Sequence, residues 1–156
     1  LGVVYDALRR YPEAEREYRR AIELDSASIA ALANLAGNLA AQGKFDDAAE
    51  TYEEVLKRLD TPLLRYRYGR ALLASGRYDA AIKEFNRVLE KDPRHYLSQT
   101  ALGDAYIARY KQTANIDEAM RSEALINWRK SLALNPDQPH VSELIKQYDQ
   151  EKLFVP

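Results

Sequence analysis

The sequence predicts an all-α fold, a solenoid built of antiparallel helix pairs. Three observations carry that expectation. A short phrase recurs four times, each copy holding a small residue, an aromatic four positions later, and a small or β-branched residue three after that. Offsets of four and three keep all three positions on one helical face. A partner segment precedes each phrase, with its own small residue at positions 2, 36, 69 and 103. A period of 33 or 34 residues holding two helices marks a helical repeat array.

The four phrases are "RYPEAEREYRRAIELDS" (10–26), "GKFDDAAETYEEVLKRLD" (43–60), "GRYDAAIKEFNRVLEKDP" (76–93) and "RSEALINWRKSLALNP" (121–136). Their contact positions are Ala14, Tyr18 and Ala21; Ala48, Tyr52 and Val55; Ala81, Phe85 and Val88; and Ala124, Trp128 and Ser131. The partner segments supply Leu1, Gly2 and Tyr5; Leu35, Ala36 and Leu39; Tyr68, Gly69 and Leu72; and Leu102, Gly103 and Tyr106. Small residues let two helices approach closely, and the aromatic fills the gap to the neighbour. One pair cannot bury its apolar face alone, so pairs must stack. Tyr52, Phe85 and Trp128 are therefore expected in the core. Gly43 and Gly76 fall at turns between paired helices.

These residues resemble the tetratricopeptide repeat, whose pattern is W-x2-L-G-x2-Y, then A-x3-F, then P. The Leu-Gly-Tyr part is intact at Leu1, Gly2, Tyr5 and at Leu102, Gly103, Tyr106. The closing Pro stands at Pro93 and Pro136, with Ser26 and Asp60 in the other two copies. The leading Trp is replaced by Leu32, Arg65 and Gln99. The resemblance implies a right-handed superhelix of four degenerate repeats over 1–136: a partial first repeat at 1–28, then 29–61, 62–95 and 96–136. It also implies that the first helices of the pairs line a concave binding surface.

Three places break the pattern. Leu1 falls in the middle of the first helix of its repeat, so that helix is expected to fray. Between Gly103 and Ala124 the fourth repeat carries nine additional residues, around "YKQTANIDEAMRS". Asn115 and Asp117 read as turn and N-cap residues there. A protruding hairpin that the protein could lose without unfolding is the expectation. Residues 137–156 do not restart the repeat. Val141, Leu144, Ile145 and Tyr148 keep helical spacing and predict a capping helix, followed by the apolar tail Leu153–Pro156.

Composition narrows the function. The chain has 156 residues, 46% apolar and 30% charged, enough to fold. With 23 basic and 24 acidic side chains it lacks the basic excess of a nucleic-acid binder. It has no Cys, so no disulfide, thiolate nucleophile or Cys-based zinc site, which fits a reducing compartment. No apolar run approaches the roughly 20 residues of a membrane helix. The six glycines are taken up by helix contacts and turns, and no phosphate-loop motif occurs. His95 and His140 stand near helix starts with no ligand at metal spacing. No nucleophile–His grouping is visible. The sequence thus gives no catalytic residue, no metal site and no cofactor.

The groove remains. Residues off the packing stripe of the first helices include Asn34, Tyr66, Arg67, Arg70 and Asp104, with Asp6 beside them and apolar Leu63, Leu73, Leu97 and Ile107. Arginine forks suit carboxylates, and tyrosine offers an amphipathic contact. A co-chaperone clamp for C-terminal carboxylates, as the resemblance describes it, uses two Lys, two Asn and one Arg. Asn34 and Arg67 fall in matching slots, whereas Val3 and Leu63 do not match theirs. The leading reading is a noncatalytic protein-interaction scaffold that holds a peptide or partner surface, such as one with an acidic group, in its groove. Two alternatives stay open: a self-association module working through its ends or its long fourth hairpin, and a regulatory or targeting segment of a larger enzyme.

Overall fold

The helices begin where local chemistry lets them. The computed structural model describes residues 1–114 and 117–150. Among them stand nine helices and no strand: α1 (Gly2–Ala7), α2 (Tyr11–Leu24), α3 (Ile29–Ala41), α4 (Phe45–Arg58), α5 (Pro62–Ala74), α6 (Tyr78–Lys91), α7 (Tyr96–Gln112), α8 (Glu118–Leu134) and α9 (Pro139–Gln150). Ser28 and Thr61 cap α3 and α5 by accepting the amides of Ala31 and Leu64, each at 3.3 Å. Such caps satisfy amides that have no partner inside the helix. His95 does the same for α7 through Nδ1, and Asp117 for α8. Asn115 and the tail Leu153–Pro156 lie outside the described residues. Gly43 and Gly76 adopt φ of 78° and 80°, the left-handed conformation that ends a helix with least strain in glycine.

The chain forms two compact units, Leu1–Arg77 and a second beginning at Tyr78. In the first unit α1 to α5 pack in chain order, and α3 also meets α5. Ala14 and Ala48 are fully buried, with Tyr18 and Tyr52 beside them. A side chain at Gly2 would place its Cβ 2.6 Å from the Tyr18 ring, so the slot admits only glycine without a shift. Ala21, by contrast, is exposed.

In the second unit α6 packs on α7, α7 on α8, and α8 on α9. Ala81, Phe85, Ala124 and Trp128 are all fully buried. A Cβ at Gly103 would lie 2.5 Å from the Trp128 indole. Val141 and Tyr148 of α9 join that core, with Leu144 and Ile145 packed against it. The helix expected after the repeats is therefore present and apolar on its inner side.

The additional residues between Gly103 and Ala124 lengthen both helices of the pair. Both α7 and α8 have 17 residues, against 14 in α6. Lys111 and Gln112 are exposed at the end of α7. The flanking turns, however, are core: Tyr110 is 4% exposed and Arg121 only 2%. Arg121 donates to the Tyr148 carbonyl of α9 at 2.8 Å.

Candidate functional site: a groove in the first unit

The first unit carries a groove of about 640 Å3. Its small residues come from α3 and the second half of α5: Ala33, Gly37, Ala40, Ala41, Ala71 and Ala74. Its aromatic rings are Tyr11, Phe45, Tyr52 and Tyr66. Such a volume lies in the range of preformed ligand sites, about 300–1,000 Å3, and would take a few residues of a peptide.

One wall belongs to α5. Arg67 and Arg70 stand three residues apart and therefore share a helical face. Both are exposed. The Tyr66 hydroxyl accepts from Arg70 at 3.1 Å, and the Arg70 guanidinium lies 6.0 Å from the Tyr66 ring centre. Arg67 hydrogen-bonds the Tyr52 phenol. Burial raises the Tyr52 pKa above the ordinary phenol value, and the charge and hydrogen bond of Arg67 partly oppose it. Tyr52 thus stays a neutral phenol that braces a cation. Among the described residues no carboxylate pairs with Arg67 or Arg70. Both guanidiniums belong to exposed residues that line the groove.

The other wall belongs to α1, α2 and the C-terminal half of α3. Asp6 accepts from the Tyr18 hydroxyl at 2.7 Å and from Asn38 Nδ2 at 2.5 Å. The same Asn38 amide donates to the Tyr11 carbonyl at 3.1 Å, and Gln42 donates to Asn38 Oδ1 at 2.7 Å. Gln42 also reaches Glu15, which pairs with Lys44 and Arg19, each at 2.8 Å. Burial opposes the charged form of Glu15, but Lys44, Gln42 and Arg19 outweigh it and hold its carboxyl below the usual range. Burial, then the bond to Asp6, pushes the Tyr18 phenol well above its ordinary pKa. These bonds fix the Asp6 carboxylate at the groove.

Of the sequence-predicted site residues, Asn34, Tyr66, Arg67 and Arg70 line this one groove. Asp104 belongs to the second unit, where it accepts the Trp128 indole N–H at 3.0 Å. Ile107 does not face a groove. It is 7% exposed and packs in the core with Trp128, Val141 and Tyr148, so its assignment to the concave wall is corrected. The lengthened α7 and the added α9 cover what would otherwise be an open face. Leu63 and Leu97 are exposed as expected. The Asp6–Tyr18–Asn38 set escaped the sequence reading as a unit. Its members are up to 32 residues apart and belong to three different helices.

No group of three or more His, Cys, Asp or Glu among the described residues could hold a metal ion. None of the described helices is long and apolar enough to cross a membrane.

Comparison with known proteins agrees with this architecture. The family model described as "Tetratricopeptide repeat" matches residues 1–61, 34–96 and 66–130. The TPR repeat-containing protein YpiA of Bacillus subtilis (strain 168) is 29% identical over 127 residues, 80% of this chain and 28% of the relative. The DnaJ homolog subfamily C member 7 of Mus musculus is 29% identical over 119 residues, 74% of this chain and 24% of the relative. The chain thus spans about a quarter of the length of these curated relatives. MamA (41-end) from Desulfovibrio magneticus RS-1 superposes with a TM-score of 0.81 at 21% identity, over 96% of this chain and 81% of that one. The first TPR of Spaghetti (RPAP3), solved bound to the HSP90 peptide SRMEEVD, gives 0.70 at 19% identity, over 83% and 96%. At those identities the likeness is one of fold. With the family model covering most of the sequence, four in-phase copies of its motif and the helix pairs they form, the chain belongs to the tetratricopeptide repeat family.

Proposed function

We propose that this chain is a noncatalytic protein-interaction scaffold whose first unit holds a peptide in the groove between α1 and α5, with an acidic group of the peptide against Arg67 and Arg70. One observation carries the reading. Two guanidiniums without a carboxylate partner among the described residues are braced by tyrosine phenols on the wall of a groove with an aromatic and small-residue lining. Bracing reduces the side-chain entropy that binding would otherwise cost. Charge-assisted N–H···O bonds are among the stronger hydrogen bonds available to a peptide carboxylate. The peptide held by the Spaghetti (RPAP3) repeat domain, SRMEEVD, is itself acidic, which supports the same class of occupant here.

Replacing Arg67 and Arg70 together by Glu should leave the helical circular dichroism signal nearly unchanged, because both side chains are exposed, and should lower stability by only about 1 kcal/mol through the lost Arg67–Tyr52 bond. Affinity for a fluorescein-labelled peptide with two adjacent glutamates should fall about tenfold, since two exposed charge pairs are worth roughly 1–2 kcal/mol together. Preference should turn toward basic peptides. If the double variant keeps its full affinity, the groove is not the binding surface.

A second reading, self-association, rests on a separate observation. Leu1, Val3, Val4, Leu8 and Leu24 are between 58% and 83% exposed in α1, α2 and the residues beside α1. Leu1, Val3 and Leu24 rim a second groove of about 550 Å3. Such apolar surface favours a protein partner, a second copy included. Sedimentation at rising concentration tests it: a constant monomer mass would remove self-association.

A further inference from the structure

The groove has unmatched charges of both signs. The charged side chains that line it are Asp6, Arg67 and Arg70. Arg67 and Arg70 find only tyrosine oxygens, as described above. Asp6 accepts from a neutral phenol and a neutral amide, and among the described residues no cation pairs with it. Glu15 shows the contrast: equally tied to the Gln42 network, it is neutralised by Lys44 and Arg19. A part-buried carboxylate that accepts only from neutral donors attracts a basic group.

From this, and resting on the groove reading above, we infer that the groove takes a peptide carrying both charges in a fixed direction: an acidic side chain at Arg67 and Arg70, and a basic side chain at Asp6. The two ends lie on different helices with α3 between them. Asn38 of α3 bonds Asp6, and α3 meets α5. Packed helices lie about 10 Å apart, so roughly 20 Å separate the axes of α1 and α5, and side chains reach inward from both. An extended peptide rises about 3.3 Å per residue. Its acidic and basic residues should therefore be about five positions apart. Between them the small residues Ala33, Gly37 and Ala41 leave room for the peptide backbone.

The test uses peptides with both termini blocked, so that side chains carry the only charges. One has a Glu and a Lys five positions apart. A second replaces the Lys by Gln, and a third replaces the Glu by Gln. Binding is read by NMR titration of the whole chain at low salt. The Glu/Lys peptide should bind about threefold to fivefold more tightly than the Glu/Gln peptide, and the advantage should shrink in 0.5 M salt. Asp6→Asn should abolish the advantage while keeping affinity for the Glu/Gln peptide. Equal binding of the Glu/Lys and Glu/Gln peptides by the wild-type protein would overturn the inference and leave the acidic-peptide reading intact. Failure of all three peptides to bind would overturn both. The comparison on the wild-type protein decides even if Asp6→Asn does not fold.

Discussion

Trp128→Ala should lower the stability of the protein by about 3–5 kcal/mol, the range for emptying a large aromatic site in a core. The indole is fully buried. Its ring centre lies 5.9 Å from that of Tyr148, tilted by 43°, so α8 and α9 share an aromatic contact. Its N–H donates to Asp104, and its edge presses on the backbone of Gly103, where no other residue would fit. Truncation would leave a void that helix backbones cannot close, strip Tyr148 of its ring contact and remove the indole donor to Asp104. Trp128→Phe separates these effects. It keeps most of the ring and loses the N–H, and Asp104 is not fully buried, so about 1 kcal/mol is expected. Urea denaturation followed by circular dichroism measures both. A loss below 1 kcal/mol for Trp128→Ala would show that the site collapses around the smaller residue and that the packing described here is not rigid.

Arg121→Met should cost about 2–3 kcal/mol and loosen α9 in particular. Arg121 is a buried cation, and its partner Glu118 is more than half exposed. Removal therefore leaves no stranded buried charge, which keeps the effect below the 3–5 kcal/mol of a fully buried pair. What is lost is the bond from Nη1 to the Tyr148 carbonyl, made by a charged donor to the last turn of α9. That turn carries the negative end of the helix dipole, which favours a cation there. A hydrogen bond to a charged group contributes about 1.5–3 kcal/mol, and Met retains much of the apolar stem. Amide exchange across α9 should quicken more than exchange in α6, and the fluorescence of Trp128, the single tryptophan, should shift to the red. Unchanged exchange in α9 would mean that Val141, Leu144 and Ile145 hold it unaided.

The helices, their order and most of their inner faces were legible in the sequence. The recurring Ala–aromatic spacing placed Ala14, Ala48, Ala81 and Ala124 at fully buried positions, and Tyr18, Tyr52, Phe85 and Trp128 beside them. Periodicity carries this information because a helix fixes which residues share a face before any neighbour is present. It also brought out Tyr66, Arg67 and Arg70, which lie within one turn of one another on α5. What the tertiary structure alone decided is which polar group meets which. Asp6 joins Tyr18 and Asn38 from 12 and 32 residues away. Arg121 finds a carbonyl 27 residues on, and Ile107, outward by local spacing, is enclosed by α8 and α9. Spacing along one helix cannot encode such meetings. They depend on how far neighbouring helices stand apart and how they are rotated, and those quantities are set by the small residues and rings between them.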